Sequence, residues 1–104
     1  MSKPSYRHCD VRDEKQVEET VNYTLSKHGK LDILFSNAGI IGPLTGILDL
    51  DIEGFDNTMA TNVRGVAATI KHAARAMVDA NRKNRLVDDG QNRKITNGPQ
   101  FFYI

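Results

Sequence analysis

The chain reads as α/β, a piece of parallel sheet with helices laid over it, and three observations point there. The first is Leu31-Asp32-Ile33-Leu34-Phe35, an apolar run broken only by Asp32 that closes on Ser36-Asn37-Ala38-Gly39. A strand covered on both faces looks like this where it runs out into a tight turn. The second is an amphipathic helical pattern on either side of that run. The third is size: 104 residues, 39% apolar and 26% charged, are ordinary for one small globular domain and set a single domain as the ceiling.

Tyr6 to Val11 is short and mixed, but it ends in Asp10-Val11 directly before a helix signal, so a modest strand with a βα turn is expected. Asp13 then stands as N-cap, with Gln16 three residues on and Glu14 in the first turn, where the helix dipole favours negative charge. The helix runs to about His28. Val17, Val21 and Leu25 give it one narrow apolar stripe, while Glu18, Glu19, Asn22 and Lys27 face water. Gly29 ends it, and Lys30 leads into the Leu31 strand.

Past Gly39, the glycines of Ile40-Ile41-Gly42-Pro43-Leu44-Thr45-Gly46 invite comparison with a phosphate loop. The spacing matches neither phosphate fingerprint, Pro43 removes an amide donor and no Gly-Lys-Ser/Thr follows, so a loop beside a site is expected instead. Asp49 or Asp51 caps the next helical region, with Glu53 in its first turn. Phe55, Met59, Val63, Val66, Ile70, Ala73 and Met77 recur at steps of three and four, predicting a helix of about six turns that starts after a break near Asn57 and carries a continuous apolar face. Asn62 lies on that face, where its amide needs partners. From Ala80 the charges scatter without periodicity, and Pro99-Gln100-Phe101-Phe102-Tyr103-Ile104 is either a final strand or a frayed apolar end.

The charge balance limits the partners. Lys+Arg 14 against Asp+Glu 13 gives a net charge of +1, no footprint for nucleic acid or an acidic membrane surface. Cys9 alone forms no internal disulfide, and the opening Met1-Ser2-Lys3-Pro4 has no apolar leader, so a soluble, cytoplasmic protein is expected. The sequon Asn22-Tyr23-Thr24 then reads as a chance match. His8, His28 and His72 have neither metal spacing nor cysteine company, and no metal is expected.

Asn37-Ala38-Gly39 at a strand end, with Asp10-Val11 upstream and Asn62-Val63-Arg64-Gly65 downstream, resembles the short-chain dehydrogenase/reductase family, especially its plant secoisolariciresinol and xanthoxin dehydrogenase type. The resemblance covers roughly Tyr6 to Asp79 and implies the central part of an NAD(P)-binding, Rossmann-type doubly wound sheet, with residues 80–104 a divergent polar tail. For a complete member it implies an oxidoreductase that interconverts an alcohol and a ketone with NAD or NADP. It implies adenine contacts from the Asp10 side chain and the Val11 backbone, a place for Asn37, Ala38 and Gly39 along the adenosine side, and a catalytic relay role for Asn62. The family's glycine-rich turn has no counterpart before Asp10, and its Ser and Tyr-x-x-x-Lys have none after Asp79.

Each role has a plainer alternative. Asp10 can simply begin a turn, Asn37 can satisfy strand-end backbone groups, and Asn62 can be a packing residue. Tyr23-Thr24-Leu25-Ser26-Lys27 fits Tyr-x-x-x-Lys as a string, and a Tyr and Lys four apart share a helix face. It precedes the Asn37 turn, however, whereas the family's pair follows the Asn helix. The expectation is therefore an oxidoreductase family member inactive as this chain alone. The competing reading is a non-catalytic form that pairs, as a homo-oligomer or with full-length relatives, through the Asn62 to Met77 helix.

Overall fold

The first helix, α1 (Glu14–His28), starts and stops where its caps dictate. In the computed structural model, which describes residues 4–86 and 101–104, the Asp13 carboxylate accepts from the amides of Lys15 and Gln16. Gly29 takes the left-handed conformation at φ 81° and returns its N–H to the Leu25 carbonyl at 2.9 Å. Gln16 goes further than the expected capping partner. Its Nε2 donates to Asp13 Oδ2, and its Oε1 accepts the Asp10 amide at 2.9 Å, locking the incoming turn to the helix. The buried stripe is wider than Val17, Val21 and Leu25, because Thr20 and Thr24 are buried too. Their hydroxyls donate back to the carbonyls of Gln16 and Thr20, which removes the cost of burying them unpaired.

Tyr6 to Val11 forms no strand. A strand exists only through a ladder to a neighbour, and this segment's bonds go elsewhere: Arg7 to Glu19 and the Asp10 amide to Gln16. The strand beside β1 (Ile33–Phe35) is instead β2 (Phe101–Tyr103), the second of the two alternatives for that apolar end being excluded. The pair is parallel, with Ile33, Leu34 and Phe35 opposite Phe101, Phe102 and Tyr103. A parallel pair needs a long crossover, and here the helical run supplies it.

β1 is also shorter and less enclosed than its apolar run predicts. Leu31 is buried and Leu34 partly so, but Ile33 and Phe35 are exposed. Among the described residues the helices cover one face only. On the open face the rings of Phe35 and Tyr103 stack, with centroids 5.3 Å apart and planes 10° apart. On the covered face Val21, Leu31, Ala73 and Phe102 form the core, joined by Leu25, Leu34, Ala76, Met77 and Ile104.

The helical run begins after a short 3₁₀ turn, Ile47–Asp49. Asp51, not Asp49, caps α2 (Ile52–Met59) by accepting the Glu53 amide. There is no break near Asn57. The irregularity comes one turn later, where Ala60–Arg64 winds as a π-helix and the Gly65 amide reaches the Ala60 carbonyl. Thr61 Oγ1 donates to the Asn57 carbonyl at 3.0 Å, an alternative acceptor contact that favours loosening at that turn. α3 (Gly65–Leu86) follows and packs along α1.

The expected apolar face points the wrong way. Phe55, Met59, Val63 and Ile70 are 47%, 41%, 54% and 51% exposed. The buried side carries Thr61, Gly65, Thr69, His72 and Ala73. The reason is reach. Gly65 and Ala73 are small, and Thr61 and Thr69 satisfy their own hydroxyls on the carbonyls four residues back, so this side comes closer to its neighbours without stranding a polar group. Only Ala73 belongs to both the expected face and the buried one, with Val66 and Met77 half-buried.

Gly65 is where this closeness is tightest. A Cβ there would lie 2.7 Å from Val11 Cγ2, 3.0 Å from Val11 Cβ and 3.1 Å from the Ala60 carbonyl oxygen. Gly65→Ala should therefore destabilise, by about 1–3 kcal/mol of overpacking against a helix-propensity gain of about 1 kcal/mol. Gly46→Ala, with open space around its Cβ, should be neutral. Urea melts of the two variants beside the parent check this, and an unchanged midpoint for Gly65→Ala would show that Val11 yields freely.

Candidate functional site

The π-helical turn is the frame of the site, because two pieces of chain are fastened to it and to the Gly65 that follows it. Asn62, at its centre, is exposed and not on the buried face, yet both ends of its amide have partners. The Ile40 amide donates to Asn62 Oδ1 at 2.8 Å, and Asn62 Nδ2 donates to the Ile40 carbonyl at 2.7 Å. One side chain thus closes a two-bond ring on the backbone just past Asn37-Ala38-Gly39. Gly39 lies directly beside it: a Cβ there would stand 3.4 Å from Asn62 Oδ1, an ordinary contact.

Val11, buried, sits against Gly65. Beside it Arg64 Nη1 donates to the Arg12 carbonyl at 2.8 Å. The Asp10 turn and the Asn37 turn are therefore both held by residues 62–65, one through Val11 and Arg12, the other through Ile40. No hydrogen bond joins Asp10 to Asn37 among the described residues; the helix is what relates them.

Asn37 ends β1. Its amide and that of Ala38 both donate to the Ile104 carbonyl, at 2.7 and 2.9 Å, and its Nδ2 donates to the Tyr103 hydroxyl at 2.8 Å. Asn37 thus ties the two strand ends together, but not as the plainer reading expects: its backbone amide meets the strand-end carbonyl, and its side chain meets the Tyr103 hydroxyl and no backbone group among the described residues.

Asp10 is a charged anchor. Its carboxylate accepts the Arg12 amide and, on both oxygens, the Arg12 guanidinium, with Nη2 at 2.6 Å. These guanidinium bonds first, and the amide bond next, carry its carboxyl from 3.8 to about 2. Arg12 also donates through Nη1 to Asn57 Oδ1. Between this turn and the helix runs a groove of about 840 Å³, lined among others by Asp10, Arg12, Asn57, Val63 and Arg64. Sequence reasoning missed Arg12, Asn57, Arg64 and Tyr103. They share no period, and their contacts join segments distant in the chain.

The Tyr23 and Lys27 pair has other company. Lys27 Nζ lies 5.9 Å from the Tyr23 ring centroid and Arg7 Cζ 5.7 Å from it, two cations against one ring. Elsewhere on α1, Glu14 is held below the usual carboxylate range by Lys71 Nζ at 2.6 Å and then by His72 Nε2 at 3.1 Å, which clamps α1 to α3. Among the described residues no group of three or more His, Cys, Asp or Glu side chains could hold a metal ion, and no helix is long and apolar enough to cross a membrane.

Comparison with known proteins gives the family. Residues 1–87 match the family model described as enoyl-(acyl carrier protein) reductase. Short-chain dehydrogenase reductase 5 of Arabidopsis thaliana is 56% identical over 87 residues, which are 84% of this chain and 34% of that protein. The chain belongs to the short-chain dehydrogenase/reductase family. Among solved members, NAD⁺-bound xylitol dehydrogenase is 34% identical with a TM-score of 0.67, over 70% of this chain and 28% of that one. ElxO with NADP bound is 34% identical with a TM-score of 0.68, over 73% and 31%. This short-chain dehydrogenase/reductase chain thus spans about a third of the length of the curated relatives it matches, and its fold is part of the family's Rossmann-type sheet.

Two outcomes follow from the geometry. Asn62→Ala removes both bonds to Ile40, and the Ile40 amide should exchange with solvent at least tenfold faster while the α1 amides keep their protection; hydrogen exchange by NMR reads both. The Asp10 carboxyl has a lower value folded than unfolded, so the Arg12 pair stabilises fully above about pH 4 and its contribution is lost as pH falls toward about 2. Carbon-detected NMR titration of Asp10 checks this, and Arg12→Gln should return the midpoint to the ordinary carboxylate range.

Proposed function

We propose that this chain is the central part of an NAD(P)-dependent oxidoreductase, residues 1–79 belonging to the cofactor-binding domain and 80–104 to a divergent tail, and that it supplies the adenosine side of the cofactor site. The observation that carries the reading is the fastening of Asp10-Val11 and Asn37-Ala38-Gly39 to one helical turn bearing Asn62. The cofactor's fit is partial. Asp10 offers a partly exposed, ionised acceptor suited to an exocyclic amino group, the Val11 backbone stands beside it, and Asn37 to Gly39 present a thin, exposed strand end to a flat ring. No described residues form a cradle of amides for a pyrophosphate. When complete, the cofactor would supply the hydride chemistry on a small alcohol or ketone. Asn62, with both amide atoms on Ile40, positions the loop after the Asn37 turn and becomes a relay member only beside groups this chain does not supply. A cytoplasmic location belongs to the same reading.

Calorimetry with adenosine and with NAD is the test. Both should bind weakly and with similar affinity, and the chain alone should reduce no nicotinamide with a panel of secondary alcohols. Micromolar binding of NAD with adenosine far weaker would overturn the reading by revealing a phosphate site. Turnover abolished by Tyr23→Phe would move catalysis to α1.

One observation favours the non-catalytic reading as well: Phe55, Met59, Val63 and Ile70 are exposed apolar residues along α2, the π-turn and α3. Exposed apolar surface of this kind becomes an interface, with a second copy or a full-length relative as the partner. Light scattering and thermal melts over a concentration series should show self-association and a melting temperature that rises with concentration. Val63→Glu should return the chain to a monomer. A sharp, concentration-independent melt of a strict monomer would remove this second reading.

A further inference from the structure

Arg12 uses up nearly all that Asp10 can accept. Oδ1 takes the Arg12 amide at 3.0 Å and Nε at 3.0 Å, and Oδ2 takes Nε at 3.2 Å and Nη2 at 2.6 Å. A carboxylate has about four acceptor positions, and here one residue contacts both oxygens twice. The guanidinium is itself held in place, since Nη1 donates to Asn57 Oδ1 on α2 and the Arg12 carbonyl accepts from Arg64. Asp10 and Asn57 both line the groove, one from the turn before α1 and the other from α2, so the Arg12 side chain bridges two elements across it. The pair is not sealed in. The Asp10 side chain is 31% exposed and that of Arg12 47%, so the guanidinium can turn out into water once its bonds to Asp10 and Asn57 break.

We propose that Arg12 is a specificity-determining gate on Asp10: its fork occupies the acceptor positions that a purine's exocyclic amino group needs, and a purine reaches the carboxylate only when the fork has turned away. This rests on the assignment of Asp10 to adenine made above. The apparent dissociation constant is the intrinsic one divided by the fraction of molecules with Asp10 free. An exposed ion pair of this kind shifts such an equilibrium by about two- to fivefold. The gate also sets a chemical preference. Adenosine brings N–H donors to a freed carboxylate, whereas inosine brings a carbonyl oxygen to the same place and gains nothing from the opening.

The test is titration of the 104-residue chain with adenosine and with inosine, followed by NMR, for the parent, Arg12→Gln, Arg12→Lys and Asp10→Asn, each with an amide spectrum to establish folding. Arg12→Gln should bind adenosine about two- to fivefold more tightly with inosine unchanged, and Arg12→Lys, which keeps the charge and loses the fork, should fall between. A double variant with Asp10→Asn should lose the gain. Adenosine binding that weakens in Asp10→Asn and is equal or weaker in Arg12→Gln would overturn the gate while leaving the assignment of Asp10 intact. Adenosine binding indifferent to Asp10→Asn would overturn the assignment, and the gate with it. A gain equal for adenosine and inosine would also overturn it, since that is what mere clearance of the groove produces.

Discussion

The close approach of Val11 to Gly65 is the constraint on which the rest of the arrangement depends. With less than 3 Å between Val11 Cγ2 and the place of a Cβ on Gly65, only glycine lets the incoming turn lie on the helix. Once it does, Arg12 falls beside Arg64 and Asn57, and Asp10 is presented at the mouth of the groove. The same stretch, one turn earlier, holds Ile40 through Asn62. Two turns from different parts of the chain are therefore registered against one short helical segment. The π-turn within it is the device that lets Asn62 and Gly65 serve different neighbours.

The helix pair beneath this frame is held by a lining of threonine, alanine and glycine more than by large side chains. Val17 and Thr69 are its largest fully buried side chains. Back-bonded hydroxyls make threonine acceptable there. The cost of this choice is visible on the other side of the same helix, where the large apolar residues are left to solvent. A chain of this size has little stability in hand, so exposed apolar residues and an open sheet face weigh heavily on its behaviour. The charged clamp of Lys71 and His72 on Glu14 adds little by itself, being exposed at its centre.

Where the signal was local, the residues were legible in the sequence. Asp13 and Gly29 bracket α1 through hydrogen bonds that span at most four residues, whereas at the start of α2 two aspartates were open to the sequence and the structure chose Asp51. The end of the apolar run at Asn37-Ala38-Gly39 was equally plain, although the chain leaves the strand there as loop and not in the expected tight turn, and so was the family to which Asp10-Val11, Asn37-Ala38-Gly39 and Asn62-Val63-Arg64-Gly65 belong. The face of the long helix was not legible. A periodicity of large apolar residues ranks faces by hydrophobicity, and here the face that was buried is the one whose small residues permit close approach. Nor was the strand partner of β1 legible, because Tyr6 to Val11 and Phe101 to Ile104 both had the composition and only one is hydrogen-bonded to it.

By itself, then, the sequence determined the ends of α1, the end of the first strand and the membership of the family, since each rests on neighbours within a few positions or on motifs with fixed wording. Tertiary structure alone decided which face of the helix is covered, that Asn62 spends its amide on Ile40, and that Arg12 holds Asp10 while bridging to Asn57. Those outcomes depend on which side chains meet across 22 or 45 residues of chain. Meetings of that kind are set by how closely whole elements can approach, a quantity that no local pattern records.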